Sequence, residues 1–288
     1  MARPKDIEVI DLMINIPEPD QTEWYTFLEP LLIDKESRES MKMPAEYMFR
    51  NIPKIDESDD YVLACLREMD KHNIQKGLLG IPSEDSLNAE AVRRFPDRFF
   101  GSMSANPNRG MDEVRRITEW KEKFDIKCVT AFPAGLCPQV PLNDKKWYPI
   151  YAKCVELDLP FVSTVGVPGP RVPMHAQKVE HLDEVCWFFP ELKFVMRHGA
   201  EPWVDLAVKL MIKYPNLYYS TSAFAPRYYP KAIIDYANSR GSNQIMYAGY
   251  FPMGMSLDRI FSEMDDVPFK EEVWPKFLRD NAKRVFKL

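Results

Sequence analysis

Apolar residues in this chain recur with two periods, and the periods take turns. Residues 8–14 form a short run rich in β-branched side chains, which reads as a strand close to the start of the chain. Residues 15–57 then lose any regular period; prolines and aromatic clusters such as Trp24-Tyr25 and Tyr47-Met48-Phe49 dominate. Irregular stretches of that length in compact domains are usually lids or binding segments. Ser58-Asp59-Asp60 supplies an N-cap and an acidic first turn for a helix with Val62, Leu63, Leu66 and Met69 at helical spacing. From there short apolar runs alternate with amphipathic stretches. Strands are expected at 76–81, 99–105, 126–132, 160–165, 194–196, 217–222 and 244–249. Helices are expected at 84–94, 111–124, 146–157, 176–189, up to about 213, and 228–237, with closing helical stretches near 257–264 and 272–286. The stripe Met111, Val114, Ile117 and Trp120 shows the helical period most clearly.

Eight strands alternating with helices point to an α/β fold, a single (β/α)8 TIM-type barrel over residues 1–288, with 15–57 as a lid after the first strand. A doubly wound open sheet leaves the eighth strand without a role, and no Gly-x-Gly-x-x-Gly follows any strand. No internal repeat or low-complexity tract divides the chain. At 288 residues with 45% hydrophobic content, one large core is affordable. A net charge of −5 gives no footing for nucleic acid or anionic membrane. The beginning of the chain has no apolar signal region, and no apolar run approaches a membrane span. The cysteines, 65, 128, 137, 154 and 186, are scattered and form no Cys-x-x-Cys. They fit reduced thiols of a cytoplasmic protein.

In such a barrel the chemistry lies at the C-terminal ends of the strands. The stretch Lys193-Phe194-Val195-Met196-Arg197-His198-Gly199-Ala200-Glu201-Pro202-Trp203 reads as a buried strand that ends in a histidine and a glycine. Pro202 suits the first turn of the following helix. His198 is either a catalytic acid/base or a core histidine satisfied by a neighbour. If His198 points inward, strand alternation turns Met196 inward and Arg197 toward the helices, to pair with a helix carboxylate. Arg171 follows the fifth strand in a loop rich in Pro and Gly. It suits bidentate capture of a carboxylate, or pairing with the lid. Asn15, Thr164 and Thr221 are candidate neutral hydrogen-bonding groups for a substrate, and Trp203 is a candidate apolar wall.

Several motifs resemble the amidohydrolase superfamily, in the branch named for aminocarboxymuconate semialdehyde decarboxylase. Val9-Ile10-Asp11-Leu12-Met13-Ile14-Asn15 stands where that superfamily carries Ile-Asp-x-His-x-His, and Arg197-His198-Gly199 resembles its sixth-strand His-Gly. Tyr247-Ala248-Gly249-Tyr250-Phe251-Pro252 resembles the eighth-strand Phe-Gly-Ser-Asp-Tyr-Pro, and Asn281-Ala282-Lys283-Arg284-Val285-Phe286 the usual ending of the branch. The metal-ligand positions depart from the pattern: the first-strand histidines fall on Met13 and Asn15, the fifth-strand histidine on Thr164, and the eighth-strand aspartate on Tyr250. His72, His175 and His181 lie in helical segments, and Lys127 begins its strand too early to bridge a metal. No catalytic metal and no other cofactor is therefore expected.

The resemblance implies that His198 acts as general acid/base, and an imidazole without a neighbouring cation keeps a pKa near neutrality. Tyr250 either donates to a developing oxyanion or fills the volume of a lost metal. The expected function is a metal-independent hydrolase acting on the lactone, ester or amide bond of a small, cyclic or unsaturated carboxylate. A metal-free carboxy-lyase and a non-catalytic subunit partnering an active paralogue are the alternatives. An open pocket favours an enzyme; a mouth plugged by Tyr250, Met13 and Met253 favours the subunit. The resemblance also implies a homodimer.

Overall fold

The computed structural model describes residues 3–39, 41 and 43–288. Its strands are β1 (Val9–Asp11), β2 (Ile74–Gly80), β3 (Phe99–Ser104), β4 (Cys128–Ala131), β5 (Phe161–Thr164), β6 (Phe194–Arg197), β7 (Leu217–Ser220) and β8 (Ile245–Met246). They pair in sequence order as one parallel sheet. A parallel bridge between Ile14 and Phe251, and the Asn15 N–H donating to the Phe251 carbonyl at 2.9 Å, bring the last strand back to the first. The chain is a single-sheet (β/α)8 barrel.

The segment after β1 holds 3-10 turns at Thr22–Leu31 and Glu46–Met48 and the short helix α1 (Lys35–Glu39). The remaining helices are α2 (Tyr61–Lys71), α3 (Leu87–Arg94), α4 (Met111–Phe124), α5 (Tyr148–Glu156), α6 (His181–Phe188), α7 (Val204–Lys213), α8 (Lys231–Ala237), α9 (Leu257–Met264) and α10 (Asn281–Phe286). Asp60, Ser86 and Ser256 cap α2, α3 and α9 with their side chains. α7 starts later than expected: Trp203 is its N-cap, so Pro202 precedes the helix. No helix among the described residues is long and apolar enough to cross a membrane.

Strand alternation separates two apolar layers. Val9, Leu79, Phe99, Val129, Phe161, Phe194, Met196, Tyr219 and Ile245 pack outward with the helices. Ile10, Leu12, Leu78, Phe100, Cys128, Val162, Val195, Tyr218, Met246 and Ala248 fill the barrel, together with Ala282, Val285 and Phe286 of α10. That inner set fixes what stands above it. Two residues further along β3 to β6 the inward position turns polar: Ser102 after Phe100, Thr130 after Cys128, Thr164 after Val162, Arg197 after Val195. An apolar plug thus carries a polar floor.

Candidate active site

That floor belongs to a cavity of about 1670 Å³. Asn15, Ser102, Thr130, Thr164, Arg197, His198 and Tyr250 line it from the barrel, and Trp24, Tyr25, Phe27, Met43, Met48 and Phe49 from the covering segment. Met13 and Met253 line the space, and neither they nor Tyr250 plug it.

His198 stands just past β6, where the chain leaves the strand through a left-handed turn. His198, Gly199 and Ala200 have φ of 67°, 91° and 59°. Such angles are unfavourable for non-glycine residues and cluster at functional sites. Gly199 is required twice over, because a Cβ there would lie 2.3 Å from the Phe224 ring. Ser222, on the neighbouring strand end, fixes the imidazole. Its Oγ accepts from the His198 backbone N–H at 3.2 Å and lies 3.0 Å from Nδ1. A hydroxyl can donate to Nδ1 or accept from it, so either tautomer is accommodated. The ring meets Tyr250 edge-on, with centroids 5.6 Å apart. Burial first and the Arg197 charge second push the His198 pKa down to about 3, so the imidazole is neutral at ordinary pH. The expectation of a pKa near neutrality is corrected on that ground.

Arg197 also departs from expectation. Alternation counted back from His198 fails because the left-handed turn breaks the count at that residue. The strand itself places Val195 in the barrel and Met196 against the helices, so Arg197 points into the mouth. Its Nε donates to Thr164 Oγ1 at 3.3 Å, and Nη1 lies 3.7 Å from Met13 Sδ. Among the described residues no carboxylate lies within ion-pair distance of it. Of the other arginines lining the cavity, Arg116 pairs with Glu113, and Arg227 and Arg259 pair with Glu263.

Tyr250 stacks on Phe49 of the covering segment, with centroids 5.4 Å apart, and burial pushes its phenol up to about 12. Asn15 Oδ1 accepts from Asn88 Nδ2 at 2.5 Å. Thr164 holds Arg197 as described. Arg171 does not line the cavity. Its guanidinium pairs with Asp34 at 3.0 Å and Glu36 at 2.8 Å and lies over the Tyr47 ring, so it fastens the covering segment. Thr221 is buried away from the cavity, its hydroxyl 3.3 Å from both the carbonyl and the N–H of Ala248, where it ties β7 to the chain after β8. Trp203 packs on the outer core rather than on the cavity. Sequence reasoning turned Arg197 toward the helices and passed over Ser222, while Tyr25 lines the cavity from the segment read as a lid; only strand parity taken from Val195 could have placed Arg197.

A divalent metal finds no fitting donor set here. Among the described residues no group of three or more His, Cys, Asp or Glu is placed to hold one. The strand-end positions offer a thioether, an amide, a hydroxyl and a phenol, with a guanidinium between them, and like charges repel. Lys127, at the foot of β4, pairs with Asp125 at 2.6 Å.

The sequence pattern of the family described as Amidohydrolase matches residues 74–288. A 2-keto-4-carboxy-3-hexenedioate hydratase from a Sphingobium strain is 30% identical over 135 residues, 40% of this chain. The chain spans only 39% of the length of that curated relative in the match. An uncharacterised TIM-barrel protein from Bordetella bronchiseptica superposes with a TM-score of 0.73 at 22% identity, over 98% of this chain and 99% of the other. The 5-carboxyvanillate decarboxylase of Novosphingobium aromaticivorans, whose structure holds manganese and 4-hydroxy-3-methoxy-5-nitrobenzoic acid, superposes with a TM-score of 0.69 at 16% identity, over 99% and 97%. At these identities the two structural likenesses speak for the fold.

Proposed function

Because the chain belongs to the amidohydrolase family, we propose that it is a metal-independent member that hydrolyses a lactone, ester or amide bond in a small carboxylate. The observation that carries the reading is the His198–Tyr250 pair on the cavity floor, with Ser222 holding the imidazole. The free ring nitrogen of the neutral imidazole takes a proton from an attacking water. The new C–O bond pushes the carbonyl electrons onto oxygen, and the Tyr250 hydroxyl donates to that oxyanion. When the carbonyl re-forms, the leaving oxygen or nitrogen departs and receives the proton back from His198. Asn15, whose amide oxygen is taken by Asn88, keeps its N–H groups for the substrate, and Thr164 supports the floor.

The open cavity favours an enzyme over a non-catalytic subunit. The names of the relatives, a hydratase and a decarboxylase, favour a second reading in which the same imidazole delivers a proton to carbon during loss of carbon dioxide or addition of water. The test is a panel of lactones and unsaturated carboxylates, with products identified, on the wild-type protein and on His198→Asn, before and after chelation. Ring-opened acid without release of carbon dioxide supports hydrolysis; carbon dioxide, or a hydrated alkene, moves the assignment to the second reading. The exposed aromatic pair Trp187 and Phe188 on α6 is a candidate surface for a homodimer, which sedimentation tests.

A further inference from the structure

We infer that Arg197 is the substrate anchor of this barrel: its guanidinium stands among the positions that resemble metal-ligand sites and holds the carboxylate of the substrate. The inference rests on the reading of the cavity floor given above and adds to it the residue that recognises the anion. Three observations carry it. First, the side chain is directed into the cavity by strand parity, above the inner plug residue Val195. Second, of its five N–H groups, those with partners meet only a neutral hydroxyl at 3.3 Å and a thioether at 3.7 Å, neither a strong acceptor. Third, the partners of Arg197 are Thr164 and Met13, two of the four positions where the family pattern places metal ligands. A part-buried cation without a counter-charge is costly to keep, and an anion that enters the cavity supplies what the protein leaves out. The planar fork suits a carboxylate better than it suits a point charge. A bound carboxylate also lies beside His198, where it offsets the positive charge that, second to burial, disfavours protonation of that imidazole.

The test uses the whole purified chain and simple probes: benzoate, benzene-1,3-dicarboxylate and neutral benzamide, titrated by calorimetry. The carboxylates bind and benzamide does not. Arg197→Met, close in length but uncharged, weakens carboxylate binding by more than tenfold; Arg197→Lys is intermediate, and Arg171→Ala binds like the wild type. Arg197→Gln guards against a packing fault in the methionine variant, and added guanidinium ion restores binding to Arg197→Ala. Nuclear magnetic resonance of the His198 ring gives a second readout: its pKa rises in Arg197→Met without ligand, and in the wild type with benzoate. Equal carboxylate affinity in Arg197→Met and Arg197→Gln overturns the inference. So does loss of binding in Arg171→Ala alone, which returns the anchor to the rim. If no carboxylate binds while His198→Asn still abolishes turnover of a neutral lactone, the anchor is wrong and the acid–base reading stands. If carboxylates bind through Arg197 but His198→Asn turns over normally, the anchor stands and the acid–base reading falls.

Discussion

His198 and Asp11 are both titratable groups displaced by burial, and the displacement works in opposite senses. For His198 the charged form is the disfavoured one, through desolvation and then the Arg197 guanidinium, which holds its pKa at about 3. In the proposed reaction the neutral ring is the competent base, so kcat/KM, which reports the free enzyme, is expected to stay level as pH falls from neutral to about 4. Once an anion sits on Arg197 the ring becomes more basic, so the acid limb of kcat lies at higher pH than that of kcat/KM. Profiles of both constants check this; a kcat/KM limb at about 6 to 7 would place the imidazole in a water-like setting. His198→Asn removes the exchangeable proton and is expected to lower turnover by roughly 10²–10⁴. For Asp11 the pKa is raised from 3.8 to about 6 by burial, against the N–H groups of Gly249 and Met13, which lower it. The stability tied to this rise is present below the unfolded value and lost as pH climbs through the folded one. At pH 8 the ionised carboxylate costs about 3 kcal/mol. Its Oδ1 accepts both N–H groups, at 2.9 and 2.8 Å, while Oδ2 and the Tyr247 hydroxyl face each other and find no partner elsewhere. Asp11→Asn keeps the first two bonds and sets an N–H2 beside that hydroxyl. Melting curves at pH 8 should show a gain that shrinks toward pH 4; a loss at pH 8 would mean that the charge itself is needed.

At the scale of elements the informative piece is the cover between β1 and α2. Tyr47 donates to the Gly169 carbonyl at 2.7 Å, Arg171 grips Asp34 and Glu36, and Arg259 donates to the Arg50 carbonyl at 2.9 Å. The cover is therefore fastened at its rim, while Phe49 on Tyr250 connects it to the floor. Ion pairs so open to solvent are screened and add little stability on their own. Arg171→Ala is expected to speed amide hydrogen exchange over residues 22–39 and leave the barrel strands unchanged, and saturating ligand is expected to slow exchange in the same segment. Unchanged exchange at saturation would count against a moving lid. The sequence made most of the barrel readable, because strand and helix periods differ and both recur. It left the cover unread beyond its length, since prolines and 3-10 turns carry no long period. Arg197 was hidden for another reason. A strand buried on both faces, such as Phe194-Val195-Met196, is apolar throughout and gives no alternation from which to count. His198, the landmark used instead, stands in a left-handed turn where alternation has ended.

For the molecule as a whole, the match to the family begins with β2, so β1 and the cover, which supply Met13, Asn15, Tyr25 and Phe49 to the cavity, lie outside it. The shared part supplies the barrel and most of the cavity floor; the part outside it adds to the mouth. Charge accounting across the barrel then bears on metal. A divalent cation at the strand ends would need several anionic or imidazole donors, and the nearest replacements are Met13, Asn15, Thr164 and Tyr250, around a guanidinium that repels it. With a carboxylate substrate in place the floor becomes a cation–anion pair, neutral overall and closed over by the cover, and a second cation would unbalance it. Elemental analysis of the purified protein is therefore expected to find transition metals well below one equivalent, and turnover is expected to survive chelation and to gain nothing from added zinc or manganese. Arg197→Met removes the repulsion but adds no donor, so it should not acquire a metal either. One tight equivalent of zinc or manganese in the wild type, lost on His198→Ala together with activity, would show that the family's metal chemistry persists here on ligands that this arrangement does not reveal.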